Sequence, residues 1–185
     1  VGCDISEMID RDGTTLVGVD PTTMETLFTF RCSEGSLTKV GVMIGQLLIR
    51  YPGFIWVPEN KSQGQTLIDT VNLILRREGI NPFTRIFNWV IQNKDEKEFS
   101  SLNYRDMALT ETKVKRYFGV KTDANSRSEL YRDVLDQATK TCAGKVRDAG
   151  LIRELSGLTA KNGRVDHTAG GNDDRVIAWL LANWF

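Results

Sequence analysis

Three acidic positions have the type and spacing to hold a hard divalent cation. Asp4 interrupts a short apolar run, Val1–Ser6, where strand alternation puts Val1, Cys3 and Ile5 on one face and Gly2 and Asp4 on the other. A lone acid there is costly unless paired, hydrogen-bonded or metal-bound; a strand-end acid facing water is the plain alternative. Glu59 ends a second apolar strand, Phe54–Val57, and precedes Asn60 and Gly64. Open α/β sheets place their sites at strand ends beside loops, although a Glu in such a place is more often merely solvated. Asp173 and Asp174 follow Gly170-Gly171-Asn172, just ahead of a helical pattern. One Asp suits the N-cap and the helix dipole. Capping does not require the second, and adjacent like charges repel unless a cation lies between them. Mg2+ or Mn2+ takes one or two carboxylates each, with waters and substrate phosphate oxygens completing the shell. Two such ions can flank a scissile phosphate, one activating water and the other stabilising the leaving oxygen. Spacing does not bring these acids together; only a fold does.

Other residues are candidates for supporting roles. His167 is the single histidine and stands six residues before Asp173. It is suited to a proton shuttle or a metal neighbour, with a structural hydrogen bond as the alternative. The tryptophans at 56, 89, 179 and 184 read as core or interface. Charge is unevenly spread. Residues 113–132 carry Lys113, Lys115, Arg116, Lys121, Arg127 and Arg132 against Asp123 and Glu129, a local charge of +4. Residues 4–12 carry Asp4, Glu7, Asp10 and Asp12 against Arg11, a local charge of −3. A solvated helix face is the ordinary account of such a basic run; backbone phosphate positioning is the functional one, with Lys121 and Arg127 as the DNA contacts.

The elements that must position these groups follow from periodicity. Val1–Ser6, Thr14–Val19 and Thr26–Cys32 read as strands, the last two separated by an Asp20-Pro21 turn. Ser36–Arg50 and Gln65–Glu78 read as amphipathic helices on either side of the Phe54–Val57 strand. Arg85–Ile91 reads as a strand, Asn93–Ser101 as an exposed turn, Thr110–Phe118 as a short helix and Ser126–Thr141 as a longer one. Leu151–Leu158 and Gly163–His167 read as two strands across a Thr159–Asn162 turn, and Asp173–Trp184 as a closing helix. The expected class is α/β: a mixed central sheet with antiparallel opening strands and helices on both faces.

The 185 residues, with 41% hydrophobic and 26% charged, suit one folded domain, 1–185, with a core that needs no staples. No apolar stretch approaches a membrane span, and no secretory pattern opens the chain, so no membrane partner is expected. Three distant cysteines, at 3, 32 and 142, point to free thiols. The 24 basic and 24 acidic residues cancel, which excludes only a uniformly basic, DNA-coating protein.

Val1-Gly2-Cys3-Asp4 with the acidic turn from Asp10 to Gly13, Trp56-Val57-Pro58-Glu59-Asn60 with Gly64, and Val165-Asp166-His167 with Gly170-Gly171-Asn172-Asp173-Asp174 stand in one order. In that order and spacing the chain resembles the nuclease domain of tailed-phage terminase large subunits. Phe118-Gly119-Val120-Lys121-Thr122 with Arg127 is similar to a segment between the family's second and third acidic motifs. The resemblance spans nearly the whole chain. It implies an RNase H-like fold and a metal-dependent DNA endonuclease that cuts concatemeric viral DNA during packaging, with low sequence specificity. Asp4, Glu59 and Asp174 would be catalytic; with Asp173 they would ligate two divalent cations, Mg2+ or Mn2+, and Asp12 and His167 would be auxiliary. The implied partners are double-stranded DNA, a terminase ATPase domain in the same chain, the portal and the small terminase subunit. The implied setting is the host cell cytoplasm, at the procapsid. Two departures stand out: Asn172 replaces a frequent His, and the turn after the first strand is long, which leaves Asp10 or Asp12 open as an assistant. No phosphate loop of the G-x-x-x-x-G-K-[ST] type occurs, as expected of a nuclease domain excised from a longer chain. The alternatives are a resolvase or integrase core of the same superfamily, and an RNase H-like module that docks on the packaging motor without cutting.

Overall fold

The computed structural model describes residues 1–5, 13–33, 36–61, 63–89, 118–121, 124–161, 164–168 and 171–185. Two compact units share the chain: Val1–Gly35 with Lys121–Phe185, and Ser36–Val120. The fold class is α/β, with antiparallel pairing in the first unit and parallel bridges in the second.

In the first unit β1 (Gly2–Asp4), β2 (Thr14–Val19) and β3 (Thr26–Cys32) form an antiparallel ladder. The latter two begin and end where alternation and the Asp20-Pro21 turn place them. Asp20 holds that turn by accepting from the Thr22 amide at 2.7 Å. Helical residues then run from Ala124 to Thr141: α3 (Ala124–Glu129), a π-helical stretch (Leu130–Leu135) and α4 (Asp136–Thr141). A π-helical turn is rare and recurs at functional positions. Next come α5 (Ala149–Ser156), the hairpin β4 (Leu158–Lys161) with β5 (Arg164–His167), and α6 (Asp174–Trp184).

The strand expected over Leu151–Leu158 is therefore a helix up to Ser156, and the expected turn Thr159–Asn162 belongs largely to β4. Capping decided the first point. Asp148 is an N-cap that accepts from the Leu151 amide at 2.7 Å, and Gly157 closes the last turn. Leu151 and Leu155, one turn apart, then share the inner face, so a sequence short enough to pass for a strand has helical period.

Val176, Ile177, Ala178, Trp179, Leu180 and Leu181 of α6 are all buried, and the helix packs across β1 and β2. Its seat is Gly2: a Cβ built there would lie 1.8 Å from the Ala178 carbonyl oxygen and 2.6 Å from the Ala182 nitrogen. No side chain fits between strand and helix at this position.

The second unit pairs α1 (Leu37–Arg50) with α2 (Gly64–Arg77); Ser36 caps α1. Val40, Ile44 and Leu48 of one helix and Leu67, Ile68, Val71 and Leu75 of the other are buried, as their spacing requires. In the chain between these helices comes the short strand Val57–Pro58, flanked by the bridges Trp56↔Ile86 and Glu59↔Val120, both parallel. The strand expected over Arg85–Ile91 is reduced in the described residues to bridges at Ile86 and Asn88, after a 3-10 turn at Pro82–Thr84. Expectations for Asn93–Ser101 and for Thr110–Tyr117 lie outside the described residues.

Arg85 staples this unit. Its side chain, 7% exposed, donates to the backbone carbonyls of Leu48, of Tyr51 at 2.7 Å and of Phe54 at 3.0 Å. Two of these carbonyls belong to the C-terminal end of α1, which has no intrahelical donors for them. Burial pushes the guanidinium below its ordinary value, so its charge is carried against a desolvation penalty. Arg85→Met should cost about 2–3 kcal/mol, because it takes a charged donor away from three backbone carbonyls. Urea denaturation would measure this; a loss under about 0.5 kcal/mol would mean that water replaces the arginine.

Two further expectations concern chemistry of the whole chain. Cys3, Cys32 and Cys142 are all free thiols. Among the described residues, no helix is long and apolar enough to cross a membrane.

Candidate acidic site

The sheet register groups the first unit's functional side chains. Asp4 pairs with Thr15, and Thr15 with Arg31, so one rung crosses β1, β2 and β3. Side chains on one rung share a face, and this is the face that Gly2 presents to α6. Arg31 reaches from that rung to Asp174, in the first turn of α6, with Nη2 to Oδ2 at 2.9 Å. The side chain of Asp174 is 15% exposed and that of Arg31 24%.

Asp173 occupies the N-cap position of α6, yet its side chain makes no cap hydrogen bond. Its Oδ2 instead accepts from Arg127 Nη2 and from the Tyr131 hydroxyl of the π-helical stretch. The helix head is served from α5: Glu154 accepts from the Arg175 amide at 2.8 Å and from Arg175 Nη1 at 2.5 Å. Of the two aspartates that sequence offers as the cap, Asp173 takes the N-cap position, but its side chain does not perform the capping.

The protonation states follow from these contacts. Burial pushes the Asp173 carboxyl up, but the hydrogen bonds from Arg127 and Tyr131, with the charges of Arg127 and His167, outweigh it and hold the group below its ordinary value. Burial, then the negative charge of Asp173 and the hydrogen bond to it, pushes the Tyr131 phenol far up, so it stays a donor. Burial opposes the charge on Arg127; Asp173 and, more weakly, Tyr131 and Asp4 hold the guanidinium above its ordinary value. Asp4 therefore lies within electrostatic reach of Arg127.

A folded-state pKa below the unfolded one contributes stability above the unfolded value, near 4, that is lost as pH falls through the folded value. Arg127→Met should accordingly cost about 2 kcal/mol at pH 7, between the values for a buried and a surface pair because the Arg127 side chain is 42% exposed. The gap to the unmodified protein should narrow below about pH 4, as Asp173 takes up a proton. Denaturation at pH 7 and pH 3 checks this, and a gap independent of pH would exclude the charge pair as its cause.

Glu59 belongs to the second unit, where it is 7% exposed. The Val120 amide donates to the Pro58 carbonyl at 2.8 Å, and the Asn60 amide to the Val120 carbonyl at 2.7 Å. Gly119 makes this pairing possible. Its φ is +79°, and a Cβ there would stand 2.9 Å from the Pro58 oxygen. Trp89 Nε1 donates to the Gly119 carbonyl at 3.1 Å.

Of the remaining candidates, His167 is half-buried at the end of β5, with Nδ1 3.0 Å from the Thr168 carbonyl. Lys121 is exposed. Arg127, expected as a DNA contact, has its guanidinium on Asp173. Asp12 and Asp10 lie outside the described residues, as do Lys113, Lys115 and Arg116.

Among the described residues, no three His, Cys, Asp or Glu side chains gather closely enough to hold one metal ion. The donor chemistry nevertheless suits hard divalent cations, which need only one or two carboxylates each. Arg31 on Asp174 and Arg127 on Asp173 supply positive charge of the kind such ions would bring. Arg31 and Tyr131 were missed from sequence. Arg31 could have been noticed only as a lone cation within an otherwise uncharged strand pattern; Tyr131 had no local signal.

No protein-family model matches the chain, and no curated protein is significantly similar to it.

Proposed function

We propose that this chain is the RNase H-like nuclease domain of a viral packaging terminase. In this reading it is a metal-dependent endonuclease that cuts double-stranded DNA with little regard to sequence. The observation that carries the reading is the double acid at the head of α6. Asp173 holds the N-cap position without a side-chain cap hydrogen bond, both carboxylates are held by arginines, and Asp4 stands on the rung from which one of those arginines reaches. Adjacent carboxylates in partly buried surroundings are costly to keep, and cation binding is a use that accounts for them.

Asp4 and Asp174 are the proposed ligands, with Asp173 beside them; Glu59 is kept as a proposed ligand on the sequence resemblance alone. When bound, two divalent ions would activate a water and stabilise the leaving oxygen. The chain's own groups do the rest. β1 and the first turn of α6 hold Asp4 and Asp174 on rigid elements. Tyr131 and Arg127 keep Asp173 ionised, and the charge of His167 adds to this more weakly. Exposed Lys121 is a proposed backbone-phosphate contact.

Supercoiled plasmid incubated with this protein should become nicked and linear in Mn2+ or Mg2+, and a chelator should stop the reaction. Cleavage without metal would overturn the two-metal reading. Absence of cleavage in every metal would favour the non-cutting docking module, and preference for junctions or donor ends would favour a resolvase or integrase core.

A further inference from the structure

The two neighbouring carboxylates are held in different ways. Asp173 is 5% exposed, and one oxygen takes both the Arg127 guanidinium and the Tyr131 hydroxyl. Exchanging these donors for another cation would strand a buried phenol and a partly buried guanidinium. Asp174 is more open, and its Oδ2 meets Arg31 Nη2 at 2.9 Å. With its amide turned to satisfy both atoms, Asn172 also accepts from Arg31 Nη2 at 3.1 Å while donating to the Gly171 carbonyl at 3.2 Å. Arg31 thus ties the segment ahead of α6 to the rung that carries Asp4.

We infer that Arg31 is the resident counter-cation of Asp174: it holds this carboxylate in place without metal, yields it when a divalent cation binds, and then turns to a substrate phosphate. This rests on the nuclease reading above and adds to it a charge exchange at one named ligand. A guanidinium suits both positions, since carboxylate and phosphate present similar paired oxygens to its planar fork. The exchange keeps the site's charge balanced. The acids are neutralised before the cation arrives, and the displaced positive charge remains where the polyanion must come.

The test is Mn2+ titration calorimetry, followed by duplex binding with and without Ca2+. Arg31→Gln should bind Mn2+ roughly tenfold more tightly than the unmodified protein, because a competing unit charge has left the ligand. Its affinity for a DNA duplex should fall about threefold in Ca2+, the loss of about one phosphate contact, and by a different factor in chelator, where the uncovered Asp174 carboxylate alone sets the deficit. Unchanged or weaker Mn2+ binding by Arg31→Gln would overturn the inference, as would a DNA deficit of equal size with and without Ca2+. Arg31→Met, which keeps the apolar stem, gives the same comparison if glutamine unfolds the strand. Asp4→Asn and Asp174→Asn separate the two levels. If neither weakens Mn2+ binding, the nuclease reading falls and the inference with it; if both do while Arg31→Gln changes nothing, only the inference falls.

Discussion

Replacing Gly2 with alanine should lower stability by more than ~3 kcal/mol, enough to leave a marginally stable domain largely unfolded. The added methyl would stand 1.8 Å from the Ala178 carbonyl oxygen, far inside any van der Waals contact, with the Ala182 nitrogen at 2.6 Å. Both obstacles are backbone, so no side-chain rotation relieves them. Either α6 lifts from β1, or the strand bends away. Lifting α6 would loosen Val176, Ile177, Trp179, Leu180 and Leu181, which are all buried. Close-packed interiors do not absorb such a shift smoothly. Gly53→Ala is the matched control, since nothing lies within 4 Å of a Cβ there, and it should stay within about 0.5 kcal/mol of the parent. Urea midpoints of the two variants decide the matter. Equal midpoints would mean that α6 does not rest on Gly2, and the placing of Asp174 over the Asp4 rung would fail with it.

That same glycine marks how far the sequence could be read. Alternation put Gly2 and Asp4 on one face of a strand, and it bounded β2 and β3, because these strands are β-branched runs ended by a turn that local chemistry determines. The helices α1, α2 and α6 were legible for a similar reason: their apolar positions recur every three or four residues over three turns or more. What failed was short or long-range. Two turns of α5 carry too few periodic residues to distinguish it from a strand, and the Asp148 cap had to be weighed to tell them apart. Arg127 sat in a basic run and was read as a DNA contact, yet its partner lies 46 residues on. Arg31 meets Asp174 only because the ladder aligns Thr15 with both Asp4 and Arg31. The acids themselves were legible as costly residues; which cations answer that cost depends on register, and register is a property of the folded sheet.

Asp4→Asn and Asp174→Asn should each reduce plasmid cleavage in Mn2+ by at least ~1,000-fold, about 4 kcal/mol of transition-state stabilisation. Groups that act as one unit are not additive, so the double variant should be little worse than either single one. Both substitutions keep the shape of the side chain and remove only charge, so the thermal midpoint should move little for Asp4→Asn and, for Asp174→Asn, by no more than the loss of its ion pair with Arg31. In chelator, both variants should bind duplex DNA more tightly than the parent, because a carboxylate that repels phosphate has gone. This opposition of lost cleavage and gained metal-free binding is what separates a cation ligand from a structural acid. A structural role would lower stability, cleavage and binding together. Asp173→Asn should behave in that second way, since Arg127 and Tyr131 both donate to its carboxylate. Cleavage that survives both Asp4→Asn and Asp174→Asn would place the chemistry elsewhere in the chain. Cleavage lost only in step with the folded fraction would reduce these two acids to supports of the α6 seat.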